Sequence, residues 1–239
     1  MHHLISIREA VFEESKKLAE DIFSFKFSIS GSKDFIFKAG QYVVLQISGN
    51  IRRSYSIASA PSLSENKFEL IADIIPDGAG STYLMGLKTG QKISFLGPAG
   101  NFGLSEELDN DLFFICTGAG LAPIKSMIEE LVVTEKYREH KIHLIFGTRT
   151  KDRILCEDNF EKLQKDGVID SYNIYLSRDK TPGKYNFGYV TEFVKNSDSV
   201  LLRDGNFFIC GNLDMVKSVR EALENKGVDS SKIRFEAFG

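Results

Sequence analysis

The sequence contains few cysteines, and they lie far apart. Among its 239 residues there are three, Cys116, Cys156 and Cys210. An odd number at such wide spacing excludes a clustered zinc site and is typical of a chain in a reducing compartment. A plant-type iron-sulfur cluster is excluded too, because it requires four cysteine ligands. We therefore expect no metal centre in this chain.

The sequence also lacks a long apolar run and an excess of charge of either sign. No uncharged apolar run reaches about eighteen residues, and the opening MHHLISIREAVFEES has no basic segment followed by an apolar one. Lys and Arg number 30 against 33 Asp and Glu, and both signs are interspersed. This balance provides no basic surface for nucleic acid or an anionic membrane. We expect a cytoplasmic protein with no membrane span and no nucleic-acid partner.

Repeats and low-complexity tracts are absent as well. Apolar residues make up 42% and charged residues 26% of the chain, values that are ordinary for a globular protein. The length allows two modest domains, each with its own core.

The first hundred residues predict β structure. Short alternating or β-branched segments are separated by turns rich in Gly, Asn, Ser or Lys, and they read FSFKFSIS, QYVVLQIS, SYSIAS, KFELIADII and KISFLGP. One short helical segment, GSTYLMGL, interrupts them. The pattern predicts a small antiparallel β-barrel.

Beyond this region, apolar strands alternate with amphipathic helices. The segments LFFICTGAG, KIHLIFGTRT, SYNIYLSRD and NFFICGN each precede a helical segment. Such alternation indicates βαβ units, a parallel sheet and right-handed crossovers. We predict two domains, a β-barrel over residues 1–106 and a doubly wound α/β domain over residues 107–239, with the boundary in the polar segment between Leu104 and Leu112.

The first strand of the α/β half runs into a glycine turn, TGAGLAP. Gly118 and Gly120 permit positive φ and close approach of a ligand, and Pro123 lies in the first turn of the helix that follows. The free amides at that helix start suit a pyrophosphate. A third glycine is missing, and the second strand ends near Arg149 instead of an acidic residue. The pattern favours a variant nucleotide site over an ordinary NAD dehydrogenase, and a plain strand-to-helix turn is the alternative.

A later strand end, YLSRD, carries Ser177 and Arg178 at the carboxyl edge of the predicted sheet, where doubly wound folds bind ligands. A hydroxyl and a guanidinium together suit a phosphate monoester. Lys184 and Tyr185 follow closely and could assist. A solvated loop arginine is the alternative.

Six motifs occur in one order along nearly the whole chain. They are RSYS from Arg53 to Ser56, GPAGNF from Gly97 to Phe102, TGAGLAP from Thr117 to Pro123, GTR from Gly147 to Arg149, ICGNLDMV from Ile209 to Val216, and FEAF from Phe235 to Phe238. In this combination the chain resembles the ferredoxin-NADP reductase family of flavoproteins.

The resemblance implies an FAD on the barrel. In its R-x-Y-S motif Arg53 would bind the pyrophosphate, Tyr55 would pack on the isoalloxazine, and Ser56 would hydrogen-bond near flavin N5, with Ser54 between them. Residues Gly80, Ser81 and Thr82 would donate amides and hydroxyls to the same pyrophosphate, unless they form a simple capped helix. Because Arg53 and Tyr55 share one face of a strand while Ser56 points oppositely, we predict a bend or bulge near Tyr55.

The resemblance also implies a nicotinamide nucleotide on the α/β domain, held in part by Thr117, Gly118, Gly120 and Pro123. Cys210 and Glu236 would lie near the nicotinamide C4, and Gly211 and Met215 complete the C-G-x-x-x-M segment. Phe238 would cover the flavin face that the nicotinamide displaces. Plastid-type members end on this aromatic residue, usually Tyr, whereas here Gly239 follows. The implied catalytic residues are Ser56, Cys210 and Glu236.

The implied reaction is hydride transfer from a reduced nicotinamide to FAD, followed by electron release to a separate acceptor. Ferredoxin, flavodoxin or an oxygenase component is the expected acceptor. Since Ser177, Arg178 and Arg149 resemble residues that grip a 2′-phosphate, NADPH is expected rather than NADH. Three alternatives stay open: an NAD(P)H:flavin reductase acting on free flavin, a flavin-bearing electron-transfer subunit of a larger complex, and a structural protein without flavin. Arg53 favours a bound FAD, because flavin reductases often lack it.

Overall fold

Two six-stranded sheets form the framework of the protein. The computed structural model describes residues 7–29, 35–105, 108, 110–180 and 183–238. The predicted domain boundary between residues 106 and 107 lies outside the described residues.

The first sheet is antiparallel and closes on itself. Its strands are β1 (Ile7–Ala19), β2 (Ile22–Ile29), β3 (Tyr42–Ser48), β4 (Ile51–Ser56), β5 (Lys67–Asp73) and β6 (Lys92–Ala99), with helix α1 (Ala79–Met85) between β5 and β6. They lie in the order β4-β3-β6-β1-β2-β5. Beyond β4 the chain reaches the opposite edge, where Ile57 bridges Leu70 and the Ala58 N–H donates to the Glu69 carbonyl at 2.7 Å. The predicted barrel is therefore confirmed.

Phenylalanine rings fill the barrel. Alternation along the strands turns Phe27, Phe68 and Phe95 inward, and all three are buried. Their ring centroids lie 5.1 Å apart for Phe27 and Phe68 and 5.3 Å apart for Phe68 and Phe95. Aromatic pairs at such distances contribute beyond their buried area. The alternating segments noted in the sequence are thus the inner walls of the barrel.

Strand β1 is not among the predicted segments. It carries the charged run at residues 13–17, and its register against β2 shifts between Phe12 and Glu14 and again between Lys17 and Ala19. Only Ile7–Val11 also pairs with β6. The irregular register breaks the strict alternation that marks a strand in the sequence.

The predicted bulge near Tyr55 is wrong. Strand β4 pairs with β3 residue for residue from Arg52 to Ser56, and the register shift falls instead between Gln46 and Ser48. No bulge is needed, because the two faces of β4 meet different neighbours: Arg53 and Tyr55 face α1, and Ser56 faces the second sheet.

The second sheet is parallel and doubly wound, as predicted. Its strands are β7 (Leu112–Thr117), β8 (Ile142–Thr148), β9 (Ser171–Leu176), β10 (Asn186–Phe187), β11 (Asn206–Asn212) and β12 (Ile233–Phe238), in the order β10-β9-β8-β7-β11-β12. Its helices are α2 (Leu121–Val133), α3 (Glu157–Lys165), α4 (Thr191–Asn196), α5 (Ser199–Arg203) and α6 (Leu213–Asn225). Along β7, Phe114 enters the core shared with α2 and α3, and Phe113 enters the core shared with α4, α5 and α6. Buried on both faces, β7 is apolar from Leu112 to Cys116, and only Thr117 at its end is polar.

Helix α2 attaches the second sheet to the barrel. The Ser126 hydroxyl donates to the Ser59 carbonyl at 2.7 Å, and Lys125 Nζ donates to the Ala58 carbonyl at 3.2 Å. The apolar core continues across the contact, where the rings of Phe102 and Phe208 lie 6.4 Å apart. The segment that directly follows RSYS therefore contacts the helix that directly follows TGAG.

Lys125 is the centre of an ion cluster in this interface. Its Nζ lies 3.0 Å from Glu69 of the barrel and 3.0 Å from Glu129 of α2, and only 13% of its side chain is exposed. Burial disfavours the ammonium, but the two carboxylates outweigh it and raise the pKa of Lys125. The lysine therefore keeps its charge.

We expect Lys125→Met to reduce the free energy of unfolding by about 3 kcal/mol, because two shielded carboxylates would lose their counter-ion. Urea denaturation followed by circular dichroism measures the change. Lys26→Met is the matched control, since Lys26 pairs with Glu14 at 2.7 Å with both side chains more than half exposed. The control should change stability little. Equal losses in the two variants would contradict the assigned role of the cluster.

No helix in the described ranges is long and apolar enough to cross a membrane. Within the same ranges, no group of three or more His, Cys, Asp or Glu side chains is arranged to hold a metal ion.

Candidate active site

The predicted flavin-binding motif lies against helix α1. A first side-chain carbon at Gly80 would overlap the Tyr55 hydroxyl and lie 3.2 Å from Arg53 Cγ, so glycine allows the helix to approach β4 closely. Burial raises the pKa of the Tyr55 phenol, an effect that the Arg53 charge partly offsets. The phenol therefore stays protonated. Arg53 is exposed, and its Nη1 donates to the Arg52 carbonyl at 2.8 Å.

The start of α1 presents hydroxyl groups beside this arginine. Ser81 Oγ accepts from the Ile75 N–H at 2.9 Å, so its own proton is available to another acceptor. Thr82 is exposed, and its amide already donates to the Gly78 carbonyl at 2.8 Å. On β4, Ser54 is exposed as well.

The three predicted catalytic residues meet between the barrel and the second sheet. Ser56 is buried at the end of β4, and its hydroxyl donates to Glu236 Oε2 at 3.4 Å across 180 residues of sequence. Glu236 of β12 pairs in register with Cys210 of β11, and Cys210 pairs with Cys116 of β7. Paired residues of a sheet point to one face. Ser56, Glu236 and Cys210 therefore belong to one site, although they come from both sheets.

The surroundings of Glu236 and Cys210 favour the protonated forms of both side chains. Burial raises the pKa of Glu236, and the hydrogen bond from Ser56 opposes this shift. Burial, together with the charge of Glu236 and the nearby Cys116, raises the pKa of Cys210 well above its usual range. Cys210 is thus a neutral thiol, which excludes a role as a nucleophile at neutral pH.

The glycine turn after β7 packs directly on this site. A first side-chain carbon at Gly120 would lie 2.7 Å from the carbonyl carbon of Cys210 and 2.9 Å from the Gly211 nitrogen. Gly118 has a φ of +53°, in the left-handed region that favours glycine. Helix α2 then begins at Leu121, with Pro123 in its first turn. Only glycine at position 120 permits this turn to touch the end of β11.

A second tight contact lies on the other side of the same strand ends. A side chain at Gly211 would overlap both Thr117 Oγ1 and Met215 Cε. Met215 lies in the first turn of α6, where its N–H donates to Asn212 Oδ1 at 2.9 Å. The predicted residues Thr117, Gly211 and Met215 are therefore brought together.

The predicted phosphate-binding residues occupy two neighbouring strand ends. The Ser177 N–H donates to the Thr148 carbonyl at 3.0 Å, and the Arg178 N–H donates to the Arg149 carbonyl at 2.9 Å. Both arginines are exposed, and Ser177 is half-buried. The structure thus places Arg149, Ser177 and Arg178 side by side at the carboxyl edge of the sheet.

Lys184 and Tyr185 are directed elsewhere. The Tyr185 hydroxyl donates to Glu157 Oε1 at 2.8 Å, and Lys184 Nζ contacts both Glu157, at 2.7 Å, and Glu161. Their polar ends are therefore occupied by carboxylates of α3 and do not extend the phosphate-binding group.

Phe238 is the last described residue of β12. It pairs with Asn212, and 36% of the residue is exposed. Residues up to Phe238 thus form a paired strand, and the aromatic side chain of Phe238 is partly open to solvent.

Two residues that the sequence does not single out lie beside the glycine turn. Arg153 Nη2 donates to Asp73 Oδ1 at 2.7 Å, and this ion pair joins the two sheets. The two residues are 80 positions apart in the sequence. No local motif contains them, so only the tertiary fold reveals the pair.

Both halves of the chain match known protein families. Residues 9–103 match the oxidoreductase FAD-binding domain, and residues 114–221 match the oxidoreductase NAD-binding domain. Together with the barrel and the parallel sheet, these matches define a two-domain flavoprotein oxidoreductase that uses FAD and NAD(P).

Individual relatives identify the family within this class of oxidoreductases. The chain is 30% identical over 239 residues to ferredoxin-NADP reductase B of Sorangium cellulosum, and the alignment covers 96% of this chain and 97% of the relative. It is also 30% identical to the toluate 1,2-dioxygenase electron transfer component of Pseudomonas putida, over 96% of this chain and 67% of the relative. The crystal structure of a ferredoxin NADP+ reductase from Neisseria gonorrhoeae with bound FAD and NADP superimposes with a TM-score of 0.84 at 25% identity, covering 97% of this chain and 98% of that one. The chain belongs to the ferredoxin-NADP reductase family, which confirms the resemblance inferred from its motifs.

Proposed function

We propose that this chain is an NADPH-dependent reductase that passes electrons from bound FAD to a separate redox protein. The observation that carries the proposal is the hydrogen bond between Ser56 and Glu236, beside Cys210. Ser56 ends the strand with the predicted FAD ligands, whereas Glu236 and Cys210 belong to the sheet with the predicted dinucleotide ligands. The contact brings the two ligand sets to one place.

The donor set beside α1 suits FAD. A guanidinium has five N–H donors, and within the described residues that of Arg53 forms one hydrogen bond, to a backbone carbonyl. An exposed guanidinium next to a helix start fits a pyrophosphate, and the Tyr55 ring offers a face for a flat cofactor. We assign Arg53, Gly80, Ser81 and Thr82 to the pyrophosphate.

The remaining flavin contacts come from β4 and β12. We assign Tyr55, Ser54 and Ser56 to the isoalloxazine and its surroundings, and Phe238 to the flavin face. When bound, FAD accepts a hydride from reduced nicotinamide and releases electrons singly or in pairs. The partly exposed Phe238 ring can shield that face and yield it to a nicotinamide.

The residues of the second sheet are assigned to three parts of the dinucleotide: the pyrophosphate, the nicotinamide and the 2′-phosphate. We assign Thr117, Gly118, Gly120 and Pro123 to the pyrophosphate, since the glycines leave room beside the backbone amides of this turn and Pro123 occupies a position in the first helical turn where no N–H is needed. Cys210, Gly211 and Met215 border the nicotinamide. Cys210 is buried at the end of β11, and the raised pKa of its thiol keeps the side chain uncharged beside the nicotinamide. Glu236 then orients the nicotinamide through its carboxyl group.

We assign Arg149, Ser177 and Arg178 to the 2′-phosphate, which makes NADPH the preferred donor. Arg178→Ala should raise the KM for NADPH roughly tenfold to a hundredfold, the range expected for losing a charged hydrogen bond, and leave the KM for NADH nearly unchanged. Steady-state kinetics with both donors measures the shift. Arg203→Ala, at the exposed end of α5, is the control and should alter neither KM. A native preference for NADH that Arg178→Ala does not change would contradict the assignment.

The acceptor is best supported as a redox protein. The relatives named above include a ferredoxin-NADP reductase and a dioxygenase electron transfer component, which support a ferredoxin, a flavodoxin or an oxygenase component. Arg53 disfavours a free-flavin reductase. A flavin-bearing subunit of a larger complex is the remaining alternative.

Assays of NADPH oxidation with different electron acceptors distinguish these functions. NADPH oxidation by the purified chain should accelerate on adding a ferredoxin or flavodoxin, and free FMN should act only weakly. Fast turnover with FMN and none with any redox protein would replace the proposal with a flavin reductase.

Two further parts of the proposal concern location and domain division. A cytoplasmic location is supported by the three free thiols of Cys116, Cys156 and Cys210. A boundary between residues 106 and 107 is compatible with the two matched ranges, 9–103 and 114–221.

A further inference from the structure

A carboxylate of the barrel lies beside the glycine turn to which we assign the dinucleotide pyrophosphate. Asp73 is the last residue of β5, and Gly118 follows β7. A carbon atom at the side-chain position of Gly118 would lie 3.5 Å from Asp73 Oδ2. The carboxylate therefore faces the open side of the turn. An uncompensated negative charge at this position would repel a pyrophosphate.

Arg153 compensates this charge. Its Nη2 lies 2.7 Å from Asp73 Oδ1, and its Nη1 lies 3.5 Å from Oδ2 of Asp21 in the turn between β1 and β2. Only 14% of the arginine side chain is exposed. The Asp73 side chain is 39% exposed, so the pair is partly shielded from water and interacts more strongly than a fully exposed pair.

The backbone holds Arg153 in this position. Arg153 ends a short 3-10 turn, Lys151–Arg153, that follows β8 at the same sheet edge as the glycine turn. The Glu20 N–H of the barrel donates to the Asp152 carbonyl at 3.2 Å, which fixes the turn to the barrel. Both terminal nitrogens of the guanidinium then point at barrel carboxylates. Arg153 is thus directed at Asp73 and Asp21.

We infer that Arg153 is a positioning residue that sets dinucleotide affinity by neutralising Asp73, so that a pyrophosphate can bind at the turn Gly118–Gly120. The inference rests on the proposed function, because that function assigns the pyrophosphate to this turn. Arg153 acts through Asp73, which lies on the barrel side of the contact between the two sheets. A change on the barrel side therefore alters binding on the α/β side.

Equilibrium binding of NADP+ to the oxidised holoprotein, measured by calorimetry, tests this role without turnover. Arg153→Met should raise the Kd about tenfold, the order expected for a nearby unit charge in a solvent-accessible site. Arg153→Lys keeps the charge and should retain most of the affinity. Asp73→Asn leaves the guanidinium beside the turn and should lower the Kd below the wild-type value. The double variant Asp73→Asn/Arg153→Met should return the Kd close to wild type.

A second probe, 2′-AMP, has no pyrophosphate, so its Kd should be the same in all these proteins. A double variant as weak as Arg153→Met would overturn the inference, because Arg153 would then act directly on the ligand. Equal losses for 2′-AMP would also overturn it, since they would indicate general disruption.

If Arg153→Met does not fold, Asp73→Asn and Arg153→Lys decide the result, and an unchanged Kd in Asp73→Asn refutes the role. A wild-type protein that fails to bind NADP+ overturns the proposed function together with the inference, whereas a wild type that binds and variants that do not differ overturn the inference alone.

Discussion

Replacing Arg53 by Ala should produce a protein that loses FAD during purification, with an affinity for FAD reduced by at least about a hundredfold. Several charge-assisted hydrogen bonds to a dianionic pyrophosphate would disappear together, and each contributes roughly 1.5–3 kcal/mol. Arg53 lies on the face of β4 next to Gly80, which brings its guanidinium side chain to the start of α1. Visible absorption after gel filtration and titration of the apoprotein with FAD measure the loss.

The neighbouring arginine provides a matched control for this experiment. Arg52 is exposed on the same strand and lies one position earlier, so alternation directs it to the opposite face. Arg52→Ala should retain FAD at the wild-type level. Equal retention of FAD in both variants would show that neither guanidinium holds the pyrophosphate.

Glu236→Gln should slow reduction of the flavin by NADPH by roughly a hundredfold while making the protein more stable at neutral pH. The rate falls because the half-buried carboxyl that accepts from Ser56, and to which we assign the orientation of the nicotinamide, is replaced by an amide with different donors. Stopped-flow absorbance measures the rate.

The stability of the same variant has a defined dependence on pH. Burial raises the pKa of Glu236 above its ordinary value of 4.5, so the folded protein binds this proton more tightly than the unfolded chain. The ionised carboxylate therefore destabilises the fold fully above the raised pKa, and the effect disappears below about pH 4.5. The stability gain of Glu236→Gln should shrink as the pH falls from 7 to 4.5.

Glu221→Gln, on the exposed face of α6, is the control for both readouts. It should change neither the rate nor the pH dependence of stability. A Glu236→Gln protein that is fully active and no more stable at pH 7 would contradict the assigned role of Glu236.

The secondary structure was predictable where burial is regular. Strand β7 is apolar from Leu112 to Cys116 because helices cover both of its faces, and the barrel strands alternate because one face is buried. Strand β1 breaks this regularity through its two register shifts, so its charged half does not resemble a strand. Strand β10 has two residues, too few for any period to be visible.

The sequence proposes residues for the site but not the contacts between them. Motifs identified Ser56, Cys210 and Glu236, yet the hydrogen bond that joins Ser56 to Glu236 depends on how the barrel meets the second sheet. The same holds for the pair of Asp73 and Arg153, which no local pattern connects. Such contacts between distant residues require the fold.

Two expectations failed for a local reason. The bulge near Tyr55 assumed that one surface must receive both faces of β4, whereas α1 and β12 receive one each. The suggestion that Lys184 and Tyr185 could assist in phosphate binding did not take account of Glu157 on α3, whose carboxylate bonds to both side chains.

Anaerobic mixing of the purified protein with NADPH shows whether the chain holds FAD and reduces it with this donor. We expect a yellow protein with flavin absorption bands that bleach on mixing, faster with NADPH than with NADH. A colourless protein that does not bind added FAD, or a bound flavin that neither nucleotide reduces, would contradict this expectation.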